Sequence, residues 1–168
     1  TGEKYTLNEK PPTSVGYVSD GVWSCVNNDG GGPFLKDNAN NVTLAAGQNV
    51  TCTITNDDVP PFLKLVKTVV NDNGGSAVDT DWILNATANF TSTTSFTQKG
   101  SGDFKPILAN ATYTLIEKDG PENYTASTNW SCTPGGTFTG PNQIEVSNGV
   151  NVTCTITNDD VPPFLKLV

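Results

Sequence analysis

Three stretches of this chain place a reactive type of group at the end of an apolar row. Side chains alternate between the two faces of a strand, so residues of one parity share the core face. In "FLKLVK", Leu63 and Leu65 share a face with Lys67; in "YTLIE", Tyr113 and Leu115 share one with Glu117; in "VTCTITN", Val152, Cys154 and Ile156 share one with Asn158. An amine, a carboxyl group and a carboxamide each end an inward row. Parity leaves two readings open: strand ends emerging into solvent, where polar residues are ordinary, or polar groups held inside, where each needs a partner.

Residue types exclude much other chemistry. The 168 residues include nine lysines, no arginine, no histidine and seventeen carboxylates, for a net charge of −8. Without histidine the chain lacks the commonest general base and the commonest transition-metal ligand, which removes most hydrolase triads and zinc sites. Neither "NNDGGG" nor "NDNGGS" continues with the spaced carboxylates of a calcium loop, and both read as turns. No phosphate-binding glycine loop or paired-carboxylate site occurs. The chain is therefore expected to hold no metal or cofactor and not to be an enzyme. Its acidity argues against nucleic acid and anionic membrane surfaces, which reward clustered cations. No apolar run approaches the roughly 20 residues of a membrane span, so no direct membrane insertion is expected in this segment.

A repeat supplies the elements that must position the three groups. "NVTCTITNDDVPPFLKLV" occupies 49–66 and returns letter for letter at 151–168; "YTLNEK" at 5–10 matches "YTLIEK" at 113–118, and "WSC" at 23–25 matches "WSC" at 130–132. The offsets are 102, 108 and 107 residues, so the copies differ by short insertions, as homologous domains do at loop tips. On this register 59–160 is a complete β-sandwich repeat, 1–58 the C-terminal part of a preceding one, and 161–168 the first strand of the next. The chain opens at Thr1 without a Met and reads as a window on a longer array. A donated copy of strand 161–168 would not complete 1–58, which lacks everything equivalent to 59 through about 110.

Within the repeat, β-branched and aromatic residues alternate with polar ones between clusters such as "KDGPEN" and "TPGGTFTG", and no helix is evident. This pattern predicts an all-β chain of tandem antiparallel β-sandwich modules, Ig-like or transthyretin-like, with about seven strands per repeat. Strands are expected over 62–69, 81–90, 111–118, 127–133, 143–147 and 150–158. The repeat selects one pairing of the four cysteines, Cys25 with Cys52 and Cys132 with Cys154, each a strand cysteine joined to the closing strand. Trp23 and Trp130 should pack over these bridges. Paired cysteines indicate an oxidising, extracellular setting. Eight Asn-x-Ser/Thr sequons stand at Asn41, Asn49, Asn85, Asn89, Asn110, Asn123, Asn129 and Asn151, more than the roughly four that this composition alone would give. Asn85, Asn89, Asn110, Asn129 and Asn151 have outward parity and are candidate glycosylation sites, though polar residues face water on any sandwich.

"YTLIEKDGPENY" resembles the YxLxExxxPxGY element of bacterial Cna B type, or SpaA-like, pilin and adhesin domains, which have a transthyretin-like (prealbumin-like) β-sandwich fold. Tyr113, Leu115, Glu117, Pro121 and Tyr124 fall on that pattern, and Asn123 stands where the family usually has Gly. "TITNDD" is similar to the family's closing strand. The resemblance implies a spontaneous isopeptide bond between a first-strand lysine and a last-strand asparagine, assisted by the glutamate of the element. Those roles fall on Lys67, Asn158 and Glu117. In the partial repeat Glu9 and Asn56 match, the lysine would precede Thr1, and "EKPPTSVGY" carries one extra residue before its Gly and Tyr.

The implied chemistry is physically coherent. Attack on an amide needs a neutral amine, and an apolar site lowers a lysine pKa while raising that of a carboxylic acid. A protonated Glu117 can polarise the amide carbonyl and shuttle protons as ammonia leaves. The rival arrangement is an unreacted Lys67–Glu117 salt bridge with Asn158 hydrogen bonded beside it. The function expected is a structural tandem-repeat module of an extracellular fibre, pilus or surface stalk, rigidified by intramolecular crosslinks, with neighbouring repeats as partners. The alternative is an adhesin repeat that binds a surface glycan or host protein through loops such as 27–38 or 134–143.

Overall fold

A computed structural model describes residues 2–10, 16–90 and 94–168. It divides into two compact units, Thr1–Val59 and Pro60–Val168. Residues Pro11 to Val15 of the "EKPPTSVGY" stretch lie outside the described residues.

Unit one contains β1 (Glu3–Thr6), β2 (Tyr17–Ser19), β3 (Ser24–Asn27), β4 (Pro33–Phe34), β5 (Asn41–Leu44), β6 (Val50–Thr53) and β7 (Asn56–Asp58). They form three small antiparallel groupings, β1–β5, β2–β7 and β4–β3–β6. Cys25 and Val42 are its only fully buried apolar residues among those described. The row Val50, Cys52 and Ile54 remains half-buried.

Unit two contains β8 (Phe62–Val70), β9 (Trp82–Ala88), β10 (Phe96–Lys99), β11 (Lys105–Pro106), β12 (Thr112–Asp119), β13 (Tyr124–Ala126), β14 (Ser131–Thr133), β15 (Thr137–Gly140), β16 (Gln143–Glu145) and β17 (Asn151–Asp160). The one helical element among the described residues is a 3-10 turn, Asp79–Asp81. One sheet runs β10-β9-β12-β16-β15; the other runs β11-β8-β17-β13, with β14 also on β17. Alternation in β8 sends Leu63, Leu65 and Lys67 inward, and β17 does the same with Val152, Cys154, Ile156, Asn158 and Asp160. Leu84 and Ala86 of β9, Tyr113 and Leu115 of β12, and Ile144 of β16 oppose them in one continuous core. Each fully buried large side chain contributes about 1.5–3 kcal/mol.

Two features refine the strand expectations. Among the described residues, all pairings in both units are antiparallel except one: β8 and β17, the first and last strands of the sandwich, run parallel from Asn151↔Phe62 to Asp159↔Val70. Of the expected strand 127–133 only Ser131–Thr133 forms as β14, and a separate strand, β13, precedes the range at Tyr124–Ala126. β13 pairs Ala126 with Asn158 and β14 pairs Ser131 with Thr155, so residues 127–130 stand opposite only Ile156 and Thr157 and bulge from the ladder. The bulge turns Trp130 into the core. Residues 161–168 form no strand, and Phe164, Leu165 and Leu167 are exposed.

Candidate functional site

Unit two brings the amine, the carboxylate and the amide to one end of its core. Lys67 and Asn158 are 4% and 3% exposed. In the parallel register Lys67 pairs with Ile156 and Asn158 with Val69, so the two inward side chains are diagonal neighbours on adjacent strands. Glu117 comes from β12 in the facing sheet, where it stands opposite Leu84. Lys67 Nζ crosses the core to lie 3.0 Å from Glu117 Oε1. It also donates to the Thr68 carbonyl at 3.2 Å and sits 4.5 Å from the centroid of the Trp82 ring. Burial lowers the Lys67 pKa, against an opposing upward pull from the Glu117 hydrogen bond and charge. Asn158 Oδ1 is buried and has no hydrogen-bond partner. An unpaired buried carbonyl costs free energy and presents an acceptor to any group that polarises it.

Sequence parity found these three residues but not their surroundings. Trp82, which covers the amine, opens the buried row that continues through Leu84, Ala86 and Ala88. Its edge meets the Tyr124 ring with centroids 5.4 Å apart and planes at 82°. A Cβ on Gly120 would collide with the Trp82 indole nitrogen, and Gly120 has φ 96°. That turn therefore requires glycine. Asp160 lies on the Asn158 face two residues further along β17; extending the parity row by one step would have included it.

Unit one holds a related pair: Asn56 Nδ2 donates to Glu9 Oε1. Asn56 is exposed and Glu9 half-buried.

Disulfides join Cys25 to Cys52 and Cys132 to Cys154. In each case the two cysteines are directly opposed in antiparallel register. Trp130 belongs to the core cluster that contains Cys154, while Trp23 is half-buried.

The sequons differ in environment. Asn49, Asn89, Asn110, Asn123, Asn129 and Asn151 are exposed. Asn41 is half-buried and donates its amide to both carboxylate oxygens of Asp37, at 3.0 and 2.9 Å. Asn85 faces away from the core yet is half-buried, with a buried Oδ1 that lacks a partner. Asn110 lies in a turn with φ 55°, one residue before the expected strand 111–118.

Asp72, Asp159 and Asp160 bring carboxylate oxygens within 4.8 Å of one another. The Asp160 oxygens, however, already accept three backbone N–H groups, from Asp72, Asn73 and Gly75. Donors converging on the carboxylate make it an anion held by amides, a poor start for a cation site.

A two-sheet sandwich whose first and last strands pair in parallel over a shared core is a prealbumin-like arrangement. The chain belongs to the SpaA-like family of prealbumin-like fold domains, whose sequence models match residues 58–156 and 1–58. No curated protein matches it by sequence. Among solved structures, the major pilin T3.2 of Streptococcus pyogenes serotype GAS13637 is similar in fold, with a TM-score of 0.51 and 15% identity over 95% of this chain and 68% of the pilin. A Mobiluncus mulieris adhesin described as containing intramolecular disulfide, isopeptide and ester bond cross-links aligns with a TM-score of 0.42 and 18% identity, over 76% of this chain and 54% of the adhesin.

Proposed function

We propose that the chain is a structural tandem-repeat module of an extracellular, cell-surface fibre, pilus or stalk, stiffened by two kinds of internal crosslink. The observation that carries this reading is the Lys67–Glu117 contact, buried at 3.0 Å between facing sheets, with Asn158 beside the lysine on the closing strand. Disulfides supply one crosslink in each unit. An isopeptide bond supplies the other in unit two. Neutral Lys67 Nζ attacks Asn158 Cγ; the new Nζ–Cγ bond forms, the Cγ–Nδ2 bond breaks, and Glu117 carries a proton from the amine to the departing nitrogen, which leaves as ammonia. Each group reacts once, so the module is consumed and regenerates no catalyst. Fixed strands supply the drive, because well-oriented intramolecular groups reach effective molarities of about 10⁵ M or more. The Asn56–Glu9 pair in unit one stands as the acceptor half of an equivalent site. Neighbouring repeats are the partners of such a module.

Intact mass of the native chain tests the proposal. Loss of one ammonia beyond the hydrogens of two disulfides, with a Lys67–Asn158 branched peptide after digestion, is the expected result. A mass that accounts for the disulfides alone overturns the isopeptide bond.

The second reading, an adhesin repeat, draws on an open depression of about 270 Å³ lined by Asn129, Trp130, Phe138, Gly140, Pro141 and Asn142. Part of its lining falls in the expected loop 134–143, which the structure forms instead as strand β15 with the turn into β16, and it presents an exposed aromatic ring, Phe138, suited to stacking against a sugar. Saturable binding of a surface glycan by the chain, abolished by Phe138→Ala, would favour it over a purely structural module.

A further inference from the structure

One buried carboxylate of unit two stands apart from the reacting groups. Asp160 ends β17 and is 3% exposed. Its oxygens accept the backbone N–H groups of Asp72 at 3.0 Å, Asn73 at 3.0 Å to each oxygen, and Gly75 at 2.6 Å. The Asn73 amide adds contacts of 3.1 Å to the Asp160 carbonyl and 3.4 Å to Oδ1. Loop 71–77 follows β8, which carries Lys67, and Asp160 follows Asn158 by two residues. The bonds therefore tie the chain just beyond the amine to the chain just beyond the amide.

The same loop closes on the rings above the lysine. The Tyr124 hydroxyl donates to Asn71 Oδ1 and accepts from the Ala77 N–H at 3.0 Å. The Tyr124 ring braces Trp82, which covers Lys67 Nζ. A Cβ on Gly75 would strike both the Tyr124 hydroxyl and the Asp160 carboxylate, so only glycine lets the loop seat. Unit one offers a contrast. Asp58 pairs with Tyr17 as Asp160 pairs with Tyr124, but Asp58 and Tyr17 are exposed.

We propose that Asp160 is a positioning residue for isopeptide formation: by clamping loop 71–77 it holds β8 and β17 in the register that sets Lys67 beside Asn158, and it keeps the Tyr124–Trp82 pair closed over the amine. The inference rests on the ligation reading above. Asp160 donates no atom or proton to the reaction; it acts through the strands and rings. Burial of the Lys67 amine, which depresses its pKa, then depends on the clamp. Glu117 is the charged group facing that amine; β9 and β17 present Trp82 and Asn158.

The test uses the full chain recovered unfolded in denaturant before ligation and refolded with disulfide exchange from about pH 5 to 10. Ammonia loss is timed by intact mass, and folding is followed separately by near-ultraviolet circular dichroism. The wild-type rate should rise with pH and level off below the ordinary lysine range, as the desolvated amine loses its proton. Asp160→Ala should slow ligation by about tenfold to a hundredfold and move the midpoint upward, toward that of a solvated lysine. Tyr124→Phe should fold and shift the midpoint the same way by less. A rate change with an unmoved midpoint would mean that Asp160 only raises the folded fraction, and it overturns the proposal, as does a wild-type profile in Asp160→Ala. Should Asp160→Ala fail to fold, an unmoved midpoint in Tyr124→Phe overturns it instead. Retention of ammonia by the wild type at every pH is a different result: it removes the ligation reading itself.

Discussion

Removing the Cys132–Cys154 bridge should destabilise unit two as a whole, not only the strands it joins. The cysteines are separated by 22 residues, and in the chain-entropy model a loop of that size contributes about 3.4 kcal/mol by restricting the unfolded chain. Cys154 is fully buried, so replacing it with alanine also loses about 1 kcal/mol of apolar burial. The expected cost of the paired Cys132→Ala, Cys154→Ala substitution is about 4 kcal/mol, a large fraction of the stability of an ordinary domain. The bridge lies inside the longer loop between Lys67 and Asn158 and does not depend on that loop for its own closure. The loss should therefore appear whether or not the isopeptide bond has formed.

Hydrogen exchange measures this element by element in the intact chain. Amides of β9 and β12 belong to the sheet opposite the bridge, and their slowest exchange reports global opening of unit two. A loss of 4 kcal/mol should accelerate them by about a thousandfold, while β3 and β6 of unit one, which retain Cys25–Cys52, serve as an internal control. Acceleration of β9 and β12 by less than about fivefold, equivalent to about 1 kcal/mol, would refute the reasoning. So would acceleration confined to β13, β14 and β17, because the bridge would then act on local fraying alone.

Two further outcomes follow from the site and from unit one. Glu117→Gln retains an acceptor oxygen for Lys67 but cannot carry a proton from the amine to the departing nitrogen, so the variant should fold, form both disulfides and keep its ammonia; ligation at the wild-type rate, read by intact mass, would exclude Glu117 as the proton carrier. In unit one, hydrogen bonds from the Asn41 side chain and backbone hold the Asp37 carboxyl well below the usual carboxylate range. A folded pKa below the unfolded one gives stability that is present above the unfolded value and lost as pH falls through the folded one. Nuclear magnetic resonance titration should show Asp37 still ionised below the usual carboxylate range, and Asn41→Ala, which removes the side-chain donor and keeps the backbone one, should raise it part of the way back.

Period-2 alternation made the inward placement of Lys67, Glu117 and Asn158 legible because it is local. Leu63 and Leu65 point to Lys67 within one strand, and the structure needs only that β8, β12 and β17 remain regular as far as their polar ends. The cysteine pairing was legible for a different reason: two copies of the same spacing leave one consistent assignment. What strand periodicity could not supply was anything set between distant segments. The parallel pairing of β8 with β17 joins strands more than eighty residues apart in the chain, and the bulge at 127–130 arises only because β13 and β14 must share that same partner. Asp160 escaped because a carboxylate after "TITN" reads as a solvated strand end until loop 71–77 supplies its amide donors. Asn85 shows the converse: outward parity placed it in water, yet between β10 and β12 its neighbours bury the amide oxygen.

The parallel closure also bears on the proposed joining of an isopeptide bond and a disulfide in one module. β8 begins at Phe62 beside Asn151, and β17 ends at Asp160 just beyond the Asp159–Val70 pair. Tension applied before β8 and after β17 slides these strands past each other, so their ladder is loaded in shear and all of its hydrogen bonds resist together. An antiparallel pair entered and left at the same end would instead open one bond at a time. Once Lys67 is joined to Asn158, tension entering at Phe62 passes through Lys67 directly into Asn158 and out at Asp160. Residues 68–157 then lie off the path. With that bond in place Cys132–Cys154 would fall within the bypassed segment and carry no tension, leaving its contribution to the folding equilibrium of a thin core. The proposed clamp at Asp160 stands at the exit of that route, two residues beyond Asn158, where its hydrogen bonds hold loop 71–77 to β17.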